Sequence, residues 1–167
     1  MADSTATSAG RDVLGSVEAH PAQLALRNHS YSHPYFTQLA AAQLADELRR
    51  AEAAFAKSTR HDPKPYFRPP YGAWNSTVLA GVGTVGYRLT VTWDIDTMDW
   101  RPINNPGGPA GPTADDIVSK ALANAQHGSI VLMHLGGYET YKALPRMIDG
   151  LRARGFDLVS LDTMLGP

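Results

Sequence analysis

Short apolar runs alternate with helical segments along this chain, and that alternation limits the possible folds more than any other feature of it. Leu24-Ala25-Leu26 reads as a short buried strand. The stretch from Tyr87 to Trp93, alternating and β-branched, reads as a second strand, Ser129 to Met133 as a third and Phe156 to Ser160 as a fourth. Helices lie between them. Residues 37–57 carry Leu39, Leu44, Leu48, Ala51 and Phe55 broadly on one side of an alanine-rich, charged segment, with Thr37 as its cap. Asn75 caps a short helix to about Gly83. Thr113 and Asp116 resemble a capping box, with Asp where Glu is usual, that opens a helix to about Gln126. A further helix runs from about Tyr141 to Arg154. The order strand, helix, strand, helix, strand, helix, strand predicts an α/β domain with a largely parallel sheet.

Composition narrows the class. A chain of 167 residues, 43% hydrophobic and 19% charged, suits one domain with its own core. The formal net charge of -1 leaves no basic field for nucleic acid. The sequence has no cysteine, so disulfides and thiolate ligands are excluded, and any metal must be held by His, Asp, Glu or water. The longest apolar runs are too short to span a bilayer. Residues 1–10 lack the basic start and apolar core of a secretion signal and are expected to form a loose or engineered lead-in to a domain over residues 11–167.

The candidate chemistry lies where strands end. In Asn28-His29-Ser30-Tyr31-Ser32-His33-Pro34 two imidazoles stand four residues apart, and imidazole is the commonest protein ligand of zinc-like ions. Pro34 disfavours helix at His33, which puts the pair on a strand-to-loop junction. His29, Asp96, Asp99 and His134 all follow predicted strands, and polar residues at such ends gather on one rim of a parallel sheet. Tyr66-Phe67-Arg68-Pro69-Pro70-Tyr71-Gly72 is held out of regular structure by its prolines and glycine, and residues 101–112 form a Pro- and Gly-rich loop. Plainer roles exist for each residue: Asp96 and Asp99 as turn and cap residues, Trp100 as core, Arg68 stacked on a tyrosine, His134 as a satisfied strand-end histidine. His20, His61 and His127 belong to no motif and read as surface or structural, and the parity of Asp94 with Asp96 suggests one strand face.

Four segments in order resemble the polysaccharide deacetylases of carbohydrate esterase family 4, the NodB-type homology domain. His29-Ser30-Tyr31-Ser32-His33 matches the family's His-Ser/Thr-x-x-His motif, and Arg68-Pro69-Pro70-Tyr71-Gly72 its Arg-x-Pro-Tyr motif. Asp96-Thr97-Met98-Asp99-Trp100 matches the segment ending in Asp-Trp, and Leu132-Met133-His134 the Leu-x-His motif. The resemblance covers about residues 15 to 165. It implies a distorted, incomplete (β/α) barrel and metal-dependent removal of acetyl groups from N-acetylated or O-acetylated polysaccharide of the chitin, peptidoglycan or xylan type. It also implies an extracellular or envelope-facing location. His29 and His33 would hold the metal, usually zinc. His134 would be the general acid, and Asp99 would hydrogen-bond its ring and favour the charged form. Arg68 would orient a catalytic carboxylate, the Tyr71 backbone N–H would face the oxyanion, and Trp100 and Leu132 would line the acetyl pocket.

One part of the family pattern is missing. The family opens with a Thr-Phe-Asp-Asp-Gly strand that supplies a general base and a carboxylate ligand. No Asp-Asp-Gly occurs here, since Asp115-Asp116 precedes Ile117 at a predicted helix start. Residues 10–21 already resemble the segment after the family's second strand, so the N-terminal strands are expected to be missing. Weaker metal binding and reduced or lost hydrolysis follow as expectations, with Asp3, Asp12 or Glu18 as candidate substitutes. An exposed sheet edge would invite a second copy of the chain. The alternative reading is an inactive carbohydrate-binding module, or a fragment that requires a partner chain.

Overall fold

The computed structural model describes residues 8–21, 23–59 and 61–166. Two compact units divide the chain, Met1–Thr92 with Ser160–Pro167, and Trp93–Val159.

The first unit begins with α1 (Ser8–Ala19), so residues 8–10 of the expected lead-in are helical, while residues 1–7 lie outside the described part. The expected strand at residues 24–26 is absent: Leu24 is 44% exposed, and the one ladder contact of this segment is a parallel bridge from Asn28 to Phe67. An apolar triplet without a hydrogen-bonding neighbour along its length does not form a strand. Helix α2 (Ala41–Ser58) starts later than expected, because Thr37 sits in a 3-10 turn, Phe36–Gln38, and Leu39 is extended. Gln43 rather than Thr37 serves the helix start, its Oε1 accepting the Ala40 N–H at 2.8 Å. Two-residue strands β1 (Tyr66–Phe67) and β2 (Leu89–Thr90) pair in parallel, Tyr66 with Leu89 and Phe67 with Thr90. Parallel pairing needs a crossover, and α3 (Ser76–Thr84) provides it, capped as expected by Asn75, whose side chain accepts the Val78 N–H. The expected strand over residues 87–93 is thus cut to its middle.

The core of this unit is Phe36, Leu44, Leu48, Phe67, Val78, Val82 and Tyr87. Gly81 lets α3 approach α2, since a Cβ there would lie 2.9 Å from Leu44 Cδ1.

In the second unit, β3 (Ile95–Asp96) and β4 (Val131–Leu132) pair in parallel, Ile95 with Val131 and Asp96 with Leu132. Between them runs α4 (Ala114–Asn124), opened by the expected box: Asp116 N–H donates to Thr113 Oγ1, and Asp116 Oδ2 accepts the Thr113 N–H. Helix α5 (Thr140–Ala153) follows, and the two helices share a core of Ala114, Ile117, Val118, Ala121, Ala143, Met147 and Leu151. The expected fourth strand does not form. Residues 156–160 are irregular, with Leu158 40% and Val159 49% exposed, because no neighbouring strand offers them a ladder.

The chain then re-enters the first unit as α6 (Leu161–Leu165), tied there by an Arg27–Asp162 ion pair and by the Tyr66 hydroxyl donating to the Gly166 carbonyl. Among the described residues no helix is long and apolar enough to cross a membrane, and the strands form no closed barrel.

Candidate active site

In the first unit the histidine loop is built from the backbone outward. Asn28 is 1% exposed, and its amide is fully engaged: Nδ2 donates to the Leu48 carbonyl at 3.2 Å and to Tyr87 Oη at 2.6 Å, while Oδ1 accepts the Ser30 N–H at 2.9 Å. Burial pushes the Tyr87 phenol up, so it stays a neutral hydroxyl. Ser30 and His33 both adopt left-handed backbone, φ 73° and 65°, a conformation that costs a non-glycine residue about 1–3 kcal/mol and persists only when its surroundings enforce it. Ser30 Oγ enforces the second by accepting the His33 N–H at 3.0 Å.

His29 Nδ1 lies 2.6 Å from the Arg68 carbonyl. A carbonyl only accepts, so in the neutral ring Nδ1 carries the proton and Nε2 is the imine nitrogen. The His29 and His33 rings meet edge to face, centroids 4.9 Å apart, and Tyr71 meets His33 at 4.6 Å. Tyr71, at φ 58° in a 3-10 turn over Pro70–Gly72, also stacks flat on Tyr35 at 3.9 Å. The Arg68 backbone N–H donates to Asn28, and burial lowers the pKa of its guanidinium, which makes no ion pair among the described residues.

The donor set suits a borderline ion of the zinc type. Two imidazoles side by side, one with its second nitrogen bonded to a carbonyl, reproduce the outer bonding that orients metal-ligating histidines. They amount to half a tetrahedral shell. Among the described residues no third His, Asp or Glu joins them into a cluster. Asp12 and Glu18 lie exposed on α1 outside any such cluster, and Asp3 falls outside the described residues.

In the second unit, Asp99 has its side chain fully buried and satisfied from three sides. Oδ1 lies 2.7 Å from His134 Nδ1, and Oδ2 accepts the His134 N–H at 2.8 Å and the Thr140 hydroxyl at 2.5 Å. Burial works to raise the Asp99 carboxyl, but the hydrogen bonds from Thr140 and from the backbone and ring of His134 outweigh it and hold the group below the usual carboxylate range. Gly137 keeps the space open, since a Cβ there would lie 2.0 Å from Thr140 Oγ1 and 2.5 Å from Asp99 Oδ2. The carboxylate fixes the ring with Nδ1–H donated to it, leaving Nε2 for proton transfer. The His134 side chain is 38% exposed.

The remaining site residues divide. Leu132 is buried in β4, whereas Trp100 is half-exposed with the Arg101 guanidinium 5.2 Å over its ring. Asp96 takes the plainer role, its Oδ1 accepting the Met98 N–H, and Asp94 does likewise for Ile130. His20, just past the end of α1, bonds back to the Ser16 carbonyl, and His127 packs on Phe156. Sequence reasoning missed Glu47 and Thr140. Glu47 left a signal, a carboxylate inside the apolar stripe of Leu44, Leu48 and Ala51; Thr140 left none beyond its place at a helix start.

Comparisons with known proteins point to one family. The family profile described as polysaccharide deacetylase matches residues 8–90. A bifunctional xylanase/xylan deacetylase of Cellvibrio japonicus is 36% identical over 151 residues, covering 87% of this chain and 21% of that protein. A chitooligosaccharide deacetylase of Azorhizobium caulinodans is 28% identical over 151 residues, covering 82% of this chain and 67% of that one. The chain thus spans a fifth to two thirds of these relatives. A family 4 carbohydrate esterase from Streptomyces lividans superposes with a TM-score of 0.77 at 29% identity, over 95% of this chain and 76% of that one. The mixed α/β fold is accordingly the distorted, incomplete barrel of that group, and the chain belongs to the polysaccharide deacetylase family.

Proposed function

We propose that this chain is a deacetylase domain that removes acetyl groups from acetylated glycans, with a divalent metal, zinc by ligand type, held by His29 and His33. The observation that carries the reading is the histidine loop: two imidazoles meet at 4.9 Å on a strained backbone, one already oriented by a carbonyl. The names of the relatives, a xylan deacetylase and a chitooligosaccharide deacetylase, support the substrate class.

A bound metal supplies polarisation of the acetyl carbonyl and a lowered pKa for bound water. The chain's own residues do the rest. His134, its Nδ1–H donated to Asp99, delivers a proton from Nε2 to the departing amine nitrogen or alkoxide oxygen, a contribution of about 10²–10⁴ in rate. Asp99 stabilises the imidazolium while remaining ionised itself, as its lowered pKa requires. Amide and ester substrates pass through the same tetrahedral oxyanion, so N-acetyl and O-acetyl glycans are both within reach of this chemistry.

Zinc titration by calorimetry tests the metal assignment. We expect one zinc per chain, with affinity falling at least about tenfold in His29→Ala and in His33→Ala. Absence of uptake, or uptake indifferent to both substitutions, overturns it. One observation favours a second reading, an inactive glycan-binding module: no described carboxylate completes the histidine pair. That reading expects oligosaccharide binding without release of acetate.

A further inference from the structure

We propose that Glu47 is the positioning residue of the histidine loop: its buried carboxylate holds the turn between His29 and His33 and thereby sets the affinity for metal. The inference rests on the reading of those histidines as ligands.

The geometry is specific. Glu47 Oε2 accepts two consecutive backbone N–H groups, Tyr31 at 3.0 Å and Ser32 at 2.8 Å, and Oε1 accepts the Ser32 hydroxyl at 2.7 Å. Successive N–H groups turned onto one anion form a concave cradle for negative charge. The Glu47 side chain is only 9% exposed, so its charge is tolerable there because these donors replace the water it gives up. Arg50 completes the clamp from outside, 3.8 Å from Oε1, with its guanidinium 4.1 Å over the Tyr31 ring.

Position explains the consequence. Tyr31 and Ser32 lie between the two histidines, and the left-handed Ser30 and His33 flank them. A turn of that shape does not hold itself, and the partners of Ser30 and His33 within the loop fix only its ends. The carboxylate fixes its middle from a rigid helix, α2. A ligand pair already in place spares metal binding the ordering of the loop, which is how groups behind the ligands set affinity. Both carboxylate oxygens are committed to the loop, so Glu47 acts through the histidines and not as a ligand.

The test combines zinc calorimetry with amide exchange on the metal-free protein, using Glu47→Gln, Asp46→Asn and Ser32→Ala. Glu47→Gln should weaken zinc by about 10- to 100-fold and speed exchange at Tyr31 and Ser32. Asp46→Asn removes the same charge one residue away on an exposed side chain and should change neither. Ser32→Ala removes one donor without touching the helix, and should weaken zinc by a smaller factor. This variant carries the test if Glu47→Gln fails to fold. A folded Glu47→Gln protein that binds zinc like the wild type overturns the proposal, as does equal weakening in Glu47→Gln and Asp46→Asn, which marks a plain charge effect. Wild-type protein that takes up no zinc instead overturns the ligand reading. Exchange at Tyr31 and Ser32 would then still report whether Glu47 holds the turn.

Discussion

Left-handed backbone at non-glycine residues is the mark this chain carries at the residue scale. Among the described residues it falls on Ser30, His33, Tyr71 and Met98, each inside a segment with candidate chemistry. Such strain persists only where neighbours hold it, and here Asn28, Ser30, Glu47 and Asp96 provide the hydrogen bonds. Asp99 yields a pH prediction. Its folded pKa is depressed, so its contribution to stability is fully present above the ordinary carboxylate value of about 3.9 and is lost as pH falls through the folded value. In denaturant titrations at a series of pH values, the stability gap between wild type and Asp99→Asn should narrow as pH drops below about 4. A constant gap from neutral pH to pH 3 contradicts the assigned hydrogen bonds. His29, His33, Asp99 and His134 are legible from sequence because their spacing is local or their motif distinctive. Glu47 is not, because its partners in the loop stand 15 and 16 residues before it and the apolar stripe around it invites the eye to skip a charge.

Helices and strands differ in how far their own residues determine them. α3, α4 and α5 lie within a few residues of where caps and periodicity put them, since helix hydrogen bonds and caps are made between near neighbours in the chain. The strands depend on a partner elsewhere, and Val159 or Leu24 cannot show from its own surroundings that none is present. Hence two expected strands are missing and the others shrink to two residues. Thr113 tests the local rule. Thr113→Ala removes the hydroxyl that accepts the Asp116 N–H and should cost about 0.5–2 kcal/mol in chemical unfolding, with no effect on zinc binding. A loss below about 0.3 kcal/mol contradicts a working cap at α4.

At the scale of the whole molecule, the proposed glycan substrate asks for no strong charge on the protein. The formal net charge of -1 attracts neither polyanions nor acidic surfaces, and acetylated glycans need no such attraction. The family profile covers the histidine loop and the Arg-Pro-Pro-Tyr segment, while Asp99 and His134 lie beyond it in the second unit, so the acid role proposed for His134 rests on their hydrogen bonds alone. In the proposed function both the histidine pair and His134 are needed for release of acetate. Acetate release from chitooligosaccharide and from acetylated xylan by the zinc-loaded protein, followed with and without chelator and in His134→Ala, tests it most directly. Chelator-sensitive release is expected from at least one of the two, falling by about 10²–10⁴ in His134→Ala while zinc binding is retained. Oligosaccharide bound without release of acetate, or release at the wild-type rate in His134→Ala, would contradict it.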